Sequence, residues 1–195
     1  MKFGAQVSVY RTTWDKIDTA VQNLEKGTWN SVWFADHYLP PPPRREEEHL
    51  SAHEGFSIAA AIAGRTERIN MGHMVLGNTY RNPALAAKMA ATVDQISHGR
   101  FTFSIGAAWF QREHEAYGWD FPSMKERQDR LQEACELVRM LFHATEPVSF
   151  RGRYYTLDEA PLSPGSFDQP IPIMVGGTGE TRTLKTLAMY GDVFN

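Results

Sequence analysis

What most constrains this chain is a repeated alternation of short apolar, strand-like runs with amphipathic helical stretches along its 195 residues. Phe3, Ala5, Val7 and Val9 share one face of an alternating run, which is a strand signal. Trp14, Ile17, Val21 and Leu24 then recur at helical spacing, with Thr12 or Thr13 as the cap and Gly27 as the stop. Ser31 to Ala35 reads as a buried strand, Gly55 to Gly64 as an alanine-rich helix and Ile69 to Val75 as a third strand. Asn82 and Pro83 open a helix, proline being favoured in the first turn; its expected buried stripe is Leu85, Met89, Val93 and Ile96. Phe101 to Ile105 is the fourth strand. Ser123 and Glu126 stand at capping-box spacing before a long helix that turns Leu131, Ala134, Val138 and Leu141 inward. A small hairpin is expected over Val148 to Tyr155. A proline-rich loop from Pro161 to Pro172 then leads to a fifth strand, Ile173 to Val175. A helix from Glu180 to Tyr190 and a strand fragment, Asp192 to Phe194, follow.

Six strands alternating with helices call for a parallel sheet covered by helices. A doubly wound sheet fits the length. An eight-stranded (β/α) barrel typically needs about 250 residues, so this chain would stop early. Periodicity leaves both folds open. The hydrophobic fraction of 42% excludes wholesale disorder. A net charge of −3 without basic clusters argues against nucleic acid as the partner. The longest apolar run, Phe56 to Ala63, is too short to span a bilayer, and no signal peptide is visible. The lone Cys135 can form neither an internal disulfide nor a thiolate metal site. These readings describe a soluble cytoplasmic domain.

Four stretches could carry chemistry. Asp36-His37-Tyr38 follows the second strand, at the edge where both parallel architectures keep their reactive groups. An imidazole beside a carboxylate suits proton transfer, and a loop histidine bonded only to backbone is the plainer alternative. Gly176-Gly177-Thr178-Gly179 lies between a strand and a helix, where backbone N–H groups and the helix dipole favour a phosphate, or simply a tight turn. Gly106-Ala107-Ala108-Trp109 offers small residues for a flat ligand or for close packing, with Glu113-His114 a turn or two further on. His49 and His53, among Glu46, Glu47, Glu48 and Glu54, have helical metal-site spacing, but a solvated polar loop explains them and no metal is expected. The chain has no P-loop, no Gly-x-Ser-x-Gly elbow and no Cys-x-x-Cys.

Taken together, these segments resemble the bacterial-luciferase-like superfamily, in particular its deazaflavin (coenzyme F420)-dependent oxidoreductase branch. The resemblance rests on Ser31 to Tyr38, Tyr80 to Met89, Asp94 to Arg100, Gly106 to Phe110, Glu113 to Gly118, Val175 to Gly179 and Gly191 to Asn195. It implies an α/β fold of the (β/α)8 TIM-barrel type, one domain over residues 1–195 lacking the last two βα units. It implies hydride transfer between coenzyme F420 and a small organic substrate. Alternatives are an FMN-dependent monooxygenase, a non-catalytic flavin-binding protein or an inactive fragment. His37 with Asp36 would be catalytic. Met74 and Val75 would brace the cofactor ring, often through a non-prolyl cis peptide. Gly106, Ala107, Ala108 and His114 would complete the ring site, and Gly176, Gly177, Thr178 and Gly179 would hold the phosphate. Related barrels often pair through their early helices, which implies a homodimer. One departure stands out: deazaflavin sugar-phosphate dehydrogenases carry an acidic glutamate where this chain has Trp109.

Overall fold

A computed structural model describes residues 1–41 and 50–195. The elements run β1 (Gly4–Val7), α1 (Trp14–Lys26), β2 (Ser31–Phe34), α2 (Gly55–Ala63), β3 (Asn70–His73), β4 (Leu76–Gly77), α3 (Pro83–Ser97) and β5 (Phe101–Gly106). They continue with α4 (Gln111–Tyr117), α5 (Met124–His143), β6 (Val148–Arg151), β7 (Thr156–Ala160), β8 (Ile173–Val175), α6 (Arg182–Tyr190) and β9 (Val193–Phe194). The hairpin β6–β7 is antiparallel and separate. The pairings between the other named strands are all parallel, in the order β1-β2-β3-β5-β8-β9, with β4 also on β5.

That order decides the architecture. A doubly wound sheet reverses its strand order at a switch point. Here each parallel strand lies beside its predecessor without reversal, as in the arc of a (β/α) barrel. The register sets Phe34 beside Val7 and His73, and Val175 beside Ile105 and Phe194, so the strand ends open along one edge. Among the described residues no pairing joins β9 to β1. The arc is open.

Local signals place the helices. The Thr13 hydroxyl accepts from the Lys16 N–H and Gly27 ends α1, with Ile17 and Val21 buried. The Asn82 side-chain Oδ1 accepts from the Ala84 N–H ahead of α3, at 2.9 Å. The Ser123 hydroxyl accepts from the Glu126 N–H to start α5, whose Leu131, Ala134, Val138 and Leu141 are buried. Cys135 is buried beside them, and burial pushes its thiol up to about 12. Arg100 donates to the carbonyls of Ala63, Thr66, Ile69 and Ser97, tying α2, β3 and α3 together at the edge opposite the site.

Two expectations need correcting. The buried face of α3 is alanine: Ala86, Ala87, Ala90 and Ala91, joined by Val93, whereas Leu85 is 55% and Ile96 41% exposed. The helix packs against α2, α5 and β5, and small side chains let it approach all three. Phe3, expected on the inner face of the first strand, is 57% exposed and precedes β1.

Candidate active site

A cavity of about 720 Å³ opens at the C-terminal edge of the sheet. Each wall follows a different strand. Asp36 and His37 come after β2, and Met74 and Val75 after β3. Gly106, Ala107, Ala108 and Trp109 come from the end of β5, and Gly176, Gly177, Thr178 and Gly179 follow β8. Met124 and Gln128 of α5 and Arg182 of α6 flank the opening. The Met74–Val75 peptide is cis. Sequence separation hides this convergence, because the parallel crossovers set consecutive strand ends side by side.

The imidazole of His37 has a carboxylate partner, but it is Glu113 rather than the neighbouring Asp36. His37 Nδ1 lies 2.9 Å from Glu113 Oε2. The N–H groups of Tyr38 and Leu39 donate to Glu113 Oε1 at 2.6 and 2.8 Å, and the Tyr80 hydroxyl donates to Oε2. Glu113 is fully buried. Burial alone would raise its carboxyl; hydrogen bonds from His37, Tyr80 and Leu39 outweigh that and hold it below the usual carboxylate range. Burial and the Glu113 anion together push the Tyr80 phenol upward, so it stays a donor. Trp109 meets the His37 ring edge-on at 5.4 Å, stacks on Phe110 at 5.1 Å and leaves 56% of its surface exposed at the cavity.

Asp36 is committed elsewhere. Arg81 grips it bidentately, both contacts at 2.8 Å, and the Gly77 N–H adds a third at 2.9 Å. The same guanidinium reaches Glu54, 2.5 Å away, whose carboxylate caps α2 through the Phe56 and Ser57 N–H groups. The acidic residue beside His37 therefore ties three loops together instead of orienting the imidazole. His114 also departs from expectation. Its Nδ1 lies 3.0 Å from the Phe110 carbonyl, which can only accept, so Nε2 takes the Thr79 hydroxyl proton's hydrogen bond at 2.6 Å. Its ring is buried behind Tyr80, off the cavity wall. On α4, consecutive residues point in different directions, and only Glu113 reaches His37. His53 bonds the Thr12 carbonyl; His49 and glutamates 46–48 lie outside the described residues.

The small residues have two distinct reasons. A Cβ on Gly106 would stand 2.8 Å from Val75 Cγ2, and one on Gly176 would stand 2.7 Å from Val75 Cγ1. Those glycines let Val75 project between them. Gly177, at φ +141°, has a backbone that L residues avoid. Ala108 also has positive φ, +59°, and its carbonyl is held by the largely buried Arg127. Below the glycine turn, the buried Thr183 hydroxyl has no hydrogen-bond partner, and neither does buried Oε1 of Gln128 on the cavity wall. The α6 cap, Thr181, supplies no side-chain hydrogen bond to the first helical turn. The Thr183 hydroxyl can donate, and beside an uncapped helix start it suits an anionic ligand group, whereas Gln128 Oε1 can only accept and suits a ligand donor. No helix among the described residues is long and apolar enough to cross a membrane.

The profile of the luciferase-like monooxygenase family matches residues 1–195. An F420-dependent glucose-6-phosphate dehydrogenase of Amycolatopsis mediterranei (strain U-32) is 34% identical over 92% of this chain and 52% of its own length. Its counterpart from Kineococcus radiotolerans is 35% identical over 93% of this chain and 53% of its own. Among solved structures, an F420-dependent secondary alcohol dehydrogenase in complex with an F420-acetone adduct superposes with a TM-score of 0.87 at 28% identity. That match covers 99% of this chain and 57% of the other. The chain spans about half the length of the curated relatives it matches.

Proposed function

Because the chain belongs to the luciferase-like monooxygenase family, we propose that it acts as an F420-dependent oxidoreductase moving a hydride between the deazaflavin and a small organic substrate. The observation that carries this reading is the convergence of His37, the Val75 ridge, the Gly106–Ala108 wall and the Gly176–Gly179 turn on one cavity. Relatives similar over nearly the whole chain bear names of F420-dependent dehydrogenases. We read residues 1–195 as one barrel domain with six of the eight strands.

In this reading Val75 and the backbone of Gly106 to Ala108 hold the ring system, and Gly176 to Gly179 with Thr183 hold the phosphate. The bound deazaflavin supplies two-electron hydride exchange with carbon. His37 exchanges a proton with the substrate oxygen, as acceptor from an alcohol or donor to a carbonyl. Trp109 and Phe110 shield that proton transfer from water on one side.

Titrating the purified chain with F420 and, separately, with FMN tests the assignment. F420 binding at least about tenfold tighter than FMN binding, a 1.4 kcal/mol difference, is expected, followed by a substrate-dependent change in F420 absorbance. Preferential uptake of FMN would replace this reading with the monooxygenase one.

A further inference from the structure

We infer that Glu113 is the positioning residue for His37: its carboxylate keeps the proton on Nδ1, leaves Nε2 to face the substrate, and balances the charge His37 gains during proton transfer. The inference rests on the reading of His37 as the proton-exchanging group.

The geometry leaves little freedom. Two backbone N–H groups, from Tyr38 and Leu39, occupy Glu113 Oε1. The Tyr80 hydroxyl and His37 Nδ1 converge on Oε2. Backbone amides can only donate, and an ionised carboxylate can only accept. A bare Nδ1 lone pair facing Oε2 at 2.9 Å would set acceptor against acceptor, so the neutral ring carries its proton on Nδ1. Nε2 is then the position that can take a proton. When a substrate O–H bond breaks and an N–H bond forms at Nε2, the ring becomes an imidazolium. Its Nδ1–H already points at a buried anion, which favours that charge. Glu113 itself stays ionised throughout and touches no substrate.

A purely structural role predicts something different. Glu113 also pins the loop after β2 to α4, and loss of that anchor would shift the whole loop without choosing a tautomer. Substituting Glu113→Gln separates the two roles. Glutamine retains a carbonyl oxygen for the two backbone N–H groups but presents N–H to His37.

The experiment is a two-bond ¹H–¹⁵N correlation spectrum of the labelled 195-residue chain without cofactor, followed by turnover with F420. The wild-type chain is expected to show neutral His37 as the Nδ1–H tautomer, and Glu113→Gln as the Nε2–H tautomer. Turnover should fall by roughly a hundredfold or more, the scale of general acid–base catalysis, with the F420 dissociation constant changed less than about threefold. Tyr80→Phe, which removes one donor from Glu113, should keep the Nδ1–H tautomer. An Nε2–H ring in the wild-type chain overturns the inference even if the glutamine variant does not fold. An unchanged tautomer in folded Glu113→Gln also overturns it. A tautomer switch in a chain whose wild type never turns over F420 upholds the role of Glu113 and removes the proposed activity instead.

Discussion

His37 and Glu113 stand 76 positions apart and meet through one hydrogen bond. At the residue scale, the imidazole is the group whose loss should separate chemistry from binding. His37→Ala is expected to abolish turnover while leaving F420 affinity within a few-fold, as measured by fluorescence titration; a lost affinity with a preserved rate would make His37 a binding residue. Gly177 supports the complementary test. Its φ of +141° strains any L side chain, and an acidic one would add a second negative charge beside an anion. Gly177→Asp should weaken F420 binding by more than about tenfold, or 1.4 kcal/mol, with a circular dichroism spectrum like that of the wild type. An unchanged dissociation constant would remove the phosphate assignment. Most of the cavity lining was legible in the sequence, from strand–turn–helix boundaries at Asp36–His37 and Gly176–Gly179 and from the family resemblance at Met74–Val75 and Gly106–Ala108. The partner of His37 was not. Asp36 is adjacent in the chain, but adjacent residues at the end of a strand diverge, and the carboxylate that reaches the ring comes from the short helix α4, three strands later.

Among the elements, the loops after β2 and β4 and the start of α2 are joined by Arg81. Its side chain and that of Asp36 are both largely buried, so removing the cation strands an anion in a dry site. Arg81→Leu should cost about 3–5 kcal/mol in urea denaturation; a loss below about 1 kcal/mol would show that Asp36 finds another partner. Acid should loosen the same region in two steps. Burial lowers the basicity of His73, which packs against Phe56 and Phe101, so the unfolded chain takes up that proton first below the ordinary histidine value of 6.5. Glu54 and Glu113 are held low by their hydrogen bonds despite burial, so their contribution is complete above 4.5 and is lost as pH falls through their folded values. Asp94, raised by burial, acts in the opposite sense. The urea midpoint should therefore begin to fall near pH 6.5, and in His73→Phe only near the carboxylate range. Identical profiles for the two chains would exclude His73 as the source of the first step.

For the whole molecule, the sheet has two open margins. β1 pairs only with β2 and β9 only with β8 among the described residues, and Val193, Phe194, Leu184 and Met189 near the β9 margin are exposed. Unpaired strand edges flanked by apolar side chains invite further pairing. The 195-residue chain is expected to self-associate, with a homodimer as the principal species in light scattering at micromolar concentrations. A monodisperse monomer across the concentration range would sink this expectation.

The linear sequence determined where most strands, helices and caps fall, because periodicity, capping residues and glycine stops act within a few positions; it missed the short α4 and placed the hairpin before β7 begins. It also put the candidate site residues at one edge, since every parallel strand ends on that side. Three matters are decided in the tertiary structure. Barrel arc and doubly wound sheet share one local pattern; the family resemblance implied the barrel, and the unreversed strand order shows it. The buried face of α3 depends on neighbours on three sides, which favoured its alanines over Leu85 and Ile96. The division of labour among acidic residues, with Asp36 bound to Arg81 and Glu113 to His37, arises from distances across the strand ends. Short-range preferences are written residue by residue; which groups face each other across a cavity is decided only when the sheet forms.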